Sequence, residues 1–498
     1  MHGGLADTET GRCGALIGGM MVIGALYGRS DVEDDDALAN LVARRYWELF
    51  LEAFGTDHCG TLKTGEVGPE YPSVCGTIMA RASGILANLL EELAESREET
   101  GLKLTTSRGR VDRIQLTSRE RVGLALAHRE PDRVPHDLGT SGVTGIHVEA
   151  LRKVLPHLGL EDKDVHVGNV LGQLAALDDE IRDRLRVDTQ AVPRNPTGGH
   201  PEPERDGKYL KLQDKWGAVW AMRADDGKNF SPYRAPLANA TSVREIEDHD
   251  WPDTASPDRV EAIAAEADRL YRETDRALIL GPCCLGFFQM GWLLRGFETF
   301  AKDLYANPDL VEAVLEKILE LKMAYWGALL PRVSKQVLVV REDDDYGMQS
   351  GLVISPDTFR RYMKPRWERL FDVIRKKATS RVYILFHSCG AVRPLIPDLI
   401  DLGVDVLNPV QVSAAGMDTA ALKAEFGDDL TFWGGGVDTQ RVLPHGTADE
   451  VREEVRRRIL DLAPGGGFVF SAVHNIQADV PAENIIAIWE ALEMYGQY

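Results

Sequence analysis

This chain has no cationic surplus. Its 57 basic residues stand against 78 acidic ones, a formal net charge of −21 over 498 residues. A nucleic-acid backbone would meet no attractive field, so nucleic acid is excluded as an expected partner. Long apolar runs are missing too. The longest, Gly14 to Tyr27 (GALIGGMMVIGALY), is too short and glycine-rich to span a bilayer, and it lacks the basic start and small-residue cleavage site of an export signal. Cysteine is scarce, with six in all. Without an export signal, that implies a reducing compartment, thiols used for chemistry or packing, and a cytoplasmic location by default. Neither GxGxxG nor a lysine-bearing phosphate loop occurs, and Gly434–Gly436 reads as a tight turn. What remains is 44% apolar and 27% charged, the composition of an ordinary soluble globular protein. The length suits two or three domains.

Residues 1–98 read as a helical domain. Asp36 to Phe54 and Ile78 to Leu93 carry apolar residues at helical spacing; Cys59 lies in the Gly- and Pro-rich stretch between them, and Cys75 opens the second helix. Residues 99–114 are polar and without pattern, which marks a linker. From 115 to 498 the texture changes. A capping box, Thr117-x-x-Glu120, opens a helix, and apolar strand-like runs then alternate with amphipathic helices. The clearest strands are Ala277–Leu280, Val337–Val340, Val382–Phe386, Val404–Leu407, Leu430–Trp433 and Phe468–Ser471. This alternation predicts a parallel sheet covered by helices, and the strand count favours a closed (β/α)8 TIM-type barrel over an open sheet. An insertion around Asp183–Trp251 is expected to form a β-rich loop region.

In a parallel barrel the chemistry sits at the C-terminal strand ends. There the sequence places Cys283 and Cys284, the run Glu342, Asp343, Asp344 and Asp345, the pair His387 and Cys389, then Asn408, Asp438, His474 and Gln477. His387 and Cys389 follow a buried strand at i and i+2, so both point to one face. Imidazole and thiolate are both zinc ligands. Each residue also has a plainer reading. The vicinal cysteines read better as small core residues and His474 alone as a hydrogen-bonded loop histidine, whereas the acidic run, though it could be a solvated loop, directly follows a strand and so favours a role for at least one carboxylate.

Residues 117–496 resemble the uroporphyrinogen decarboxylase superfamily through TSRERVGLALAHREPDRVP (117–135), SPDTFRRYMKPRWERLF (355–371), FHSCG (386–390), FWGGGVDT (432–439) and DVPAENIIAIWEAL (479–492). The resemblance implies a (β/α)8 barrel. True decarboxylases of the family hold the porphyrinogen carboxylates with arginines just after the first strand. The corresponding VPHDLGTSGVTGIH (134–147) has none, so a polycarboxylate tetrapyrrole lacks its electrostatic partner. The other branch, the cobamide-dependent methyltransferases, uses zinc held by His-x-Cys and a distant Cys. His387 and Cys389 match the first two positions, and His474 stands where the family has the third ligand. Histidine for cysteine keeps a three-ligand site while raising its net charge, which makes the metal a stronger Lewis acid.

Residues 1 to about 92 are similar to the small redox proteins named for a C-GCAxxG-C-C cysteine pattern, through RCGALIGGMMVIGALYG (12–28), LFLEAFGTDHCGTL (49–62) and Cys75. That family's opening segment has no counterpart here. Either the start codon lies upstream of Met1 or the domain has lost part of its cysteine set. Cys13, Cys59 and Cys75 read equally as reactive or as packing residues.

The methyltransferase resemblance implies zinc on His387, Cys389 and His474, with Glu342, Asp343 or Asp344 as acid or orienting group. Asn408, Asp438 and Gln477 are expected to line the substrate. The small-molecule methyl donor or acceptor stays open, as does self-association into a homo-oligomer. The corrinoid is expected on a partner protein, because no DxHxxG-type motif occurs and His166 in DVHVGNV is only faintly like one. Two alternatives stand beside this. One is a carboxy-lyase of smaller substrates relying on Asp137; the other is a non-catalytic metal or tetrapyrrole binder.

Overall fold

The computed structural model describes residues 16, 37–54, 82–87, 89, 116–194 and 202–498. The chain divides into two compact units, Met1–Ile114 and Gln115–Tyr498. In the first, the helix Ala37–Phe54 buries Tyr46 and Phe50 in one apolar cluster with Leu16, Ala82 and Leu89. Cys13, Cys59, Cys75 and the expected linker 99–114 lie outside the described residues. Among the described residues no helix is long and apolar enough to cross a membrane.

The second unit opens as its capping box predicts. The Thr117 side chain accepts from the Glu120 amide, and the Glu120 carboxylate accepts from the Thr117 amide, which starts the helix Ser118–Leu126. Seven parallel strands follow: β1 Thr189–Val192, β2 Ala277–Leu280, β3 Val337–Asp343, β4 Tyr383–His387, β5 Val406–Asn408, β6 Thr431–Trp433 and β7 Phe468–Val469. Each pairs with the strand before and after it in sequence, giving a curled parallel sheet of mixed α/β architecture consistent with a TIM-type fold. The expected count was eight. Segment 134–138 reaches both edges instead: the Phe470 amide donates to the Pro135 carbonyl, and the Asp137 and Asp188 amides donate to the Phe470 and His136 carbonyls, each at 2.8 Å. Pro135 has no N–H to donate, so this segment makes a single bridge, His136 to Phe470, rather than a ladder.

Side chains alternate along each strand, and that sorts the molecule. Val339, Tyr383, Leu385, Val406, Trp433 and Val469 face one interior cluster, joined by Val122, Ala125 and Leu126 of the opening helix. That helix closes the N-terminal strand ends: the Arg119 amide donates to the Asp275 carbonyl at 2.7 Å and the Gly467 amide to Ala125 at 2.9 Å. Beneath it, fully buried Asp188 accepts from Arg121 Nη1 at 2.6 Å, Arg133 Nη1 at 2.7 Å and the His136 amide at 2.8 Å. The open end is therefore the C-terminal one.

The region expected as a β-rich loop divides. Its first part contains β1, whose polar Thr189 and Gln190 obscured a strand; its later part is a four-stranded antiparallel sheet over Glu204–Asp206, Tyr209–Gln213, Val219–Arg223 and Ser231–Arg234.

Candidate metal centre

β4 delivers His387 to the open end of the sheet interior, and Cys389 follows two residues later. The turn depends on Gly390, whose φ is +86°; a Cβ there would stand 2.3 Å from the Gly347 carbonyl carbon. His474 comes from the loop after β7. Its neighbour Asn475 pins that loop, accepting from the Gly145 amide at 2.7 Å and donating to the Gly142 carbonyl at 2.8 Å. One ligand atom from each of His387, Cys389 and His474 lies within 4.8 Å of the others. Cys389 Sγ is 3.4 Å from His387 Nε2. Donor atoms around a tetrahedral zinc, at bonds of about 2.0–2.3 Å, stand roughly 3.3–3.7 Å apart, so this set is close to the spacing a cation needs.

The tautomer of His387 is fixed from behind. Asn408 Nδ2 donates to the Trp433 carbonyl at 2.7 Å, which turns Oδ1 toward His387 Nδ1 at 2.5 Å. Nδ1 therefore carries the proton, and the Nε2 lone pair points at Cys389. Both amide ends of Asn408 are thus engaged. Expected to line the substrate, Asn408 is held here against His387 and Trp433. Burial and the imidazole of His387 push His474 down to about 3, so its ring is neutral and able to coordinate. Burial and the Asp345 carboxylate hold the Cys389 thiol well above its usual value. A cation binding here must displace that proton.

The acidic run splits by alternation. Glu342, expected as a catalytic residue, points away from the interior. It is fully buried, 2.5 Å from Lys322 Nζ and 2.6 Å from Trp326 Nε1 on the helix Pro308–Val333. Asp344, also expected as catalytic, accepts from the Phe288 and Gln289 amides at 2.8 Å each and from the Tyr346 hydroxyl at 2.6 Å. It caps the helix Phe287–Arg295. Both carboxylates are engaged by buried donors of the protein itself. Asp343 does face the interior: it pairs in register with His387, and its Oδ2 lies 3.1 Å from Arg341 Nη2. Asp345, named in the acidic run but given no role of its own there, completes it. Its Oδ1 accepts from the Cys389 amide at 2.8 Å and lies 3.7 Å from His387 Nε2.

Asp438 is buried in its own loop, its amide donating to Glu454 at 3.1 Å and its carboxylate accepting from the Gln440 amide at 2.9 Å. Gln477 bonds the Asn229 side chain at 3.1 Å. Neither is hydrogen-bonded to the triad. Cys283 and Cys284 are buried, with sulfurs 3.8 Å apart. Gly434 and Gly435 have φ of +89° and +84°, as a tight turn requires. A cavity of about 500 Å³ has Thr140, Gly281, Arg194 and Arg341 in its wall.

Residues 223–495, more than half of the chain, match the family model described as "Uroporphyrinogen decarboxylase (URO-D)". Residues 1–89 match "Putative redox-active protein (C_GCAxxG_C_C)". Among curated proteins, the uroporphyrinogen decarboxylase of Actinobacillus succinogenes is 24% identical over 295 residues, covering 58% of this chain and 77% of that one. That of Vibrio cholerae is 26% identical over 205 residues, 40% of this chain and 52% of the relative. The match to the Trichlorobacter lovleyi protein of the same name likewise spans only 51% of its length, at 24% identity. A methyltransferase from Methanosarcina mazei shares the fold at a TM-score of 0.51 and 19% identity, over 76% of this chain and 99% of that one.

Proposed function

The chain belongs to the uroporphyrinogen decarboxylase family, and from that premise we propose that it is a zinc-dependent methyltransferase, cytoplasmic, working with a corrinoid carried on a separate protein. The observation that carries this reading is the triad, whose three ligand atoms lie within 4.8 Å of one another at the open end of the sheet. Two imidazoles and one thiol make a three-ligand set that leaves a fourth position for substrate, the pattern of a catalytic rather than a structural zinc. Zinc bound there supplies Lewis acidity to the heteroatom that gives or receives the methyl group. The chain's own residues set this up. Asn408 keeps the His387 lone pair turned inward, Asn475 holds the loop that bears His474, and Asp345 anchors the Cys389 backbone. The fold shared with the Methanosarcina mazei methyltransferase is compatible with the reading.

A carboxy-lyase is the second reading, favoured by the names of the curated relatives. It needs an available strand-end carboxylate, and Asp137 is its candidate. That carboxylate is buried and accepts from Thr189 at 2.8 Å, Trp433 Nε1 at 2.7 Å and Thr140. The family's substrate-binding arginines are also missing from 134–147. Both facts favour methyl transfer.

Elemental analysis tests the choice. About one zinc per chain is expected in the wild type, with sharp losses in Cys389→Ser and His474→Ala. Full occupancy in His474→Ala alone would remove that residue and bring forward Asp345. No zinc in protein made with ample metal would overturn the methyltransferase reading and leave the carboxy-lyase.

A further inference from the structure

Two facing groups inside the sheet have unmet demands of opposite sign. Arg341 is 7% exposed and faces the interior two residues below Asp343. Its guanidinium has five donors, yet its one acidic partner within 4 Å among the described residues is Asp343, at 3.1 Å. Arg194, exposed at the cavity mouth, spends Nη1 on the Pro282 carbonyl at 2.9 Å. The two guanidinium side chains flank Gly281; a Cβ at Gly281 would stand 3.5 Å from Arg194 Cδ and 3.5 Å from Arg341 Nη2. The carboxylates of Asp343, Glu342 and Asp137 all act on Arg341 and Arg194 opposes them, so the unmet demand is for acceptors: most of the Arg341 N–H donors have no partner among the described residues. Asp343 Oδ1, meanwhile, is buried without any hydrogen-bond partner, a state that native proteins rarely leave unfilled.

No simple ion meets both demands. A bare carboxylate would satisfy the arginines but bring its charge against Asp343. A bare amine would satisfy Asp343 and be repelled by the arginines. A molecule with an anionic end and a charged N–H donor a few ångströms away satisfies both together. The spacing suits a small one, because the Arg341 guanidinium and the Asp343 carboxylate are only 3.1 Å apart. The orientation also follows: Arg341 is the deeper residue, and Asp343 is in register with His387 of the triad.

We propose that Arg341, Arg194 and Asp343 form a substrate-orienting subsite for a small zwitterionic amino-carboxylate. Its carboxylate lies on the two guanidiniums and its ammonium on Asp343 Oδ1, beside the metal ligands. The class that also carries a methyl group on the nitrogen is an N-methylated amino acid; that last step rests on the methyltransferase reading, whereas the binding does not.

The experiment is ligand-observed NMR on the full chain stripped of metal, with sarcosine, acetate and dimethylamine as separate probes. Sarcosine is expected to bind at least tenfold more tightly than either half-molecule. Arg341→Gln and Asp343→Asn should each weaken it at least tenfold, and zinc per chain should stay as in the wild type. Arg194→Gln, at an exposed position where folding is not at stake, should weaken sarcosine and acetate together. Acetate binding as well as sarcosine would overturn the proposal, as would an unchanged sarcosine affinity in Arg194→Gln. Loss of zinc in Asp343→Asn would do so as well, by making that carboxylate a metal ligand. Because binding is read without metal, a zinc-free protein that still prefers sarcosine sinks the methyltransferase reading alone, and a zinc protein that ignores sarcosine sinks the subsite alone.

Discussion

Asn408 is the most informative single position to change. It touches neither the thiol nor His474, yet its Oδ1, 2.5 Å from His387 Nδ1, decides which ring nitrogen is free, and its Nδ2 bond to the Trp433 carbonyl at 2.7 Å prevents it from flipping. Asn408→Ala removes the acceptor and leaves the ring free to turn or to exchange tautomers. Loss of such a partner behind a metal-bound histidine costs about 10- to 100-fold in affinity, which is about 1.4–2.7 kcal/mol. A second loss comes with it, because Asn408 is 1% exposed and its removal strands the Trp433 carbonyl and the Nδ1 proton away from water. Stability of the metal-free protein should fall by about 1–3 kcal/mol. Zinc affinity is read by competition with a chromophoric chelator and stability by urea unfolding after chelation. Asn408→Asp separates the two effects: it keeps the acceptor for Nδ1, so zinc affinity should recover to within a few-fold, while the lost donation to Trp433 keeps stability low. Wild-type zinc affinity in Asn408→Ala would refute the reasoning, since among the described residues Asn408 is the hydrogen-bond partner of Nδ1.

Glu342→Gln should cost about 3–5 kcal/mol of stability by leaving the Lys322 ammonium buried and unpaired, with zinc content unchanged, and Lys322→Met added to it should recover most of the loss in urea unfolding. Apparent zinc affinity should climb about tenfold per unit between pH 7 and 9, because the Cys389 thiol is held protonated and surrenders one proton to the metal, whereas His474 has none to give. The same titration on Cys389→Ala should be flat across that range.

Much of this molecule could be read from apolar patterning. β2, β4 and β6 are short apolar runs between amphipathic helices, and the sequence placed them within a residue or two. His387 and Cys389 were visible because they end such a run. Interior polar groups caused the errors. β3 continues through Arg341, Glu342 and Asp343, but three charged residues in a row look like the start of a loop. Carrying the alternation onward from Val339 would have put Arg341 and Asp343 inside and Glu342 outside, against the helix. β1 was hidden for the same reason, its Thr189 and Gln190 serving Asp137 and Arg276 instead of a uniform apolar face. Nothing local in the sequence could show that Asp344 caps a helix more than fifty residues earlier, or that Asn408 backs a histidine on the next strand. Those are tertiary facts, and they decide which ligand-grade residues are ligands.

Asp345 brings two electrostatic effects into opposition, and their balance can be worked out. Its Oδ1 lies 3.7 Å from His387 Nε2, and Asp345 raises the thiol of Cys389. Replacing it with Asn should make that thiol more acidic, which taken alone would favour metal binding. The metal-bound state must be counted as well. Zinc enters with two positive charges and one proton leaves, so the neighbourhood of Asp345 gains a net charge of +1, which the carboxylate attracts. A unit pair near 4 Å is worth about 4 kcal/mol at an effective dielectric of 20. With the Asp345 side chain 36% exposed, solvent screening brings this toward about 1 kcal/mol. Net attraction therefore wins. Asp345→Asn should lower zinc affinity about 5-fold at pH 7 while moving the thiol's titration in the metal-free protein downward. Thiolate absorbance against pH reads the second effect and chelator competition the first. If both moved in favour of binding, the carboxylate would be acting only on the thiol, and the site would hold its cation without help from the acidic run.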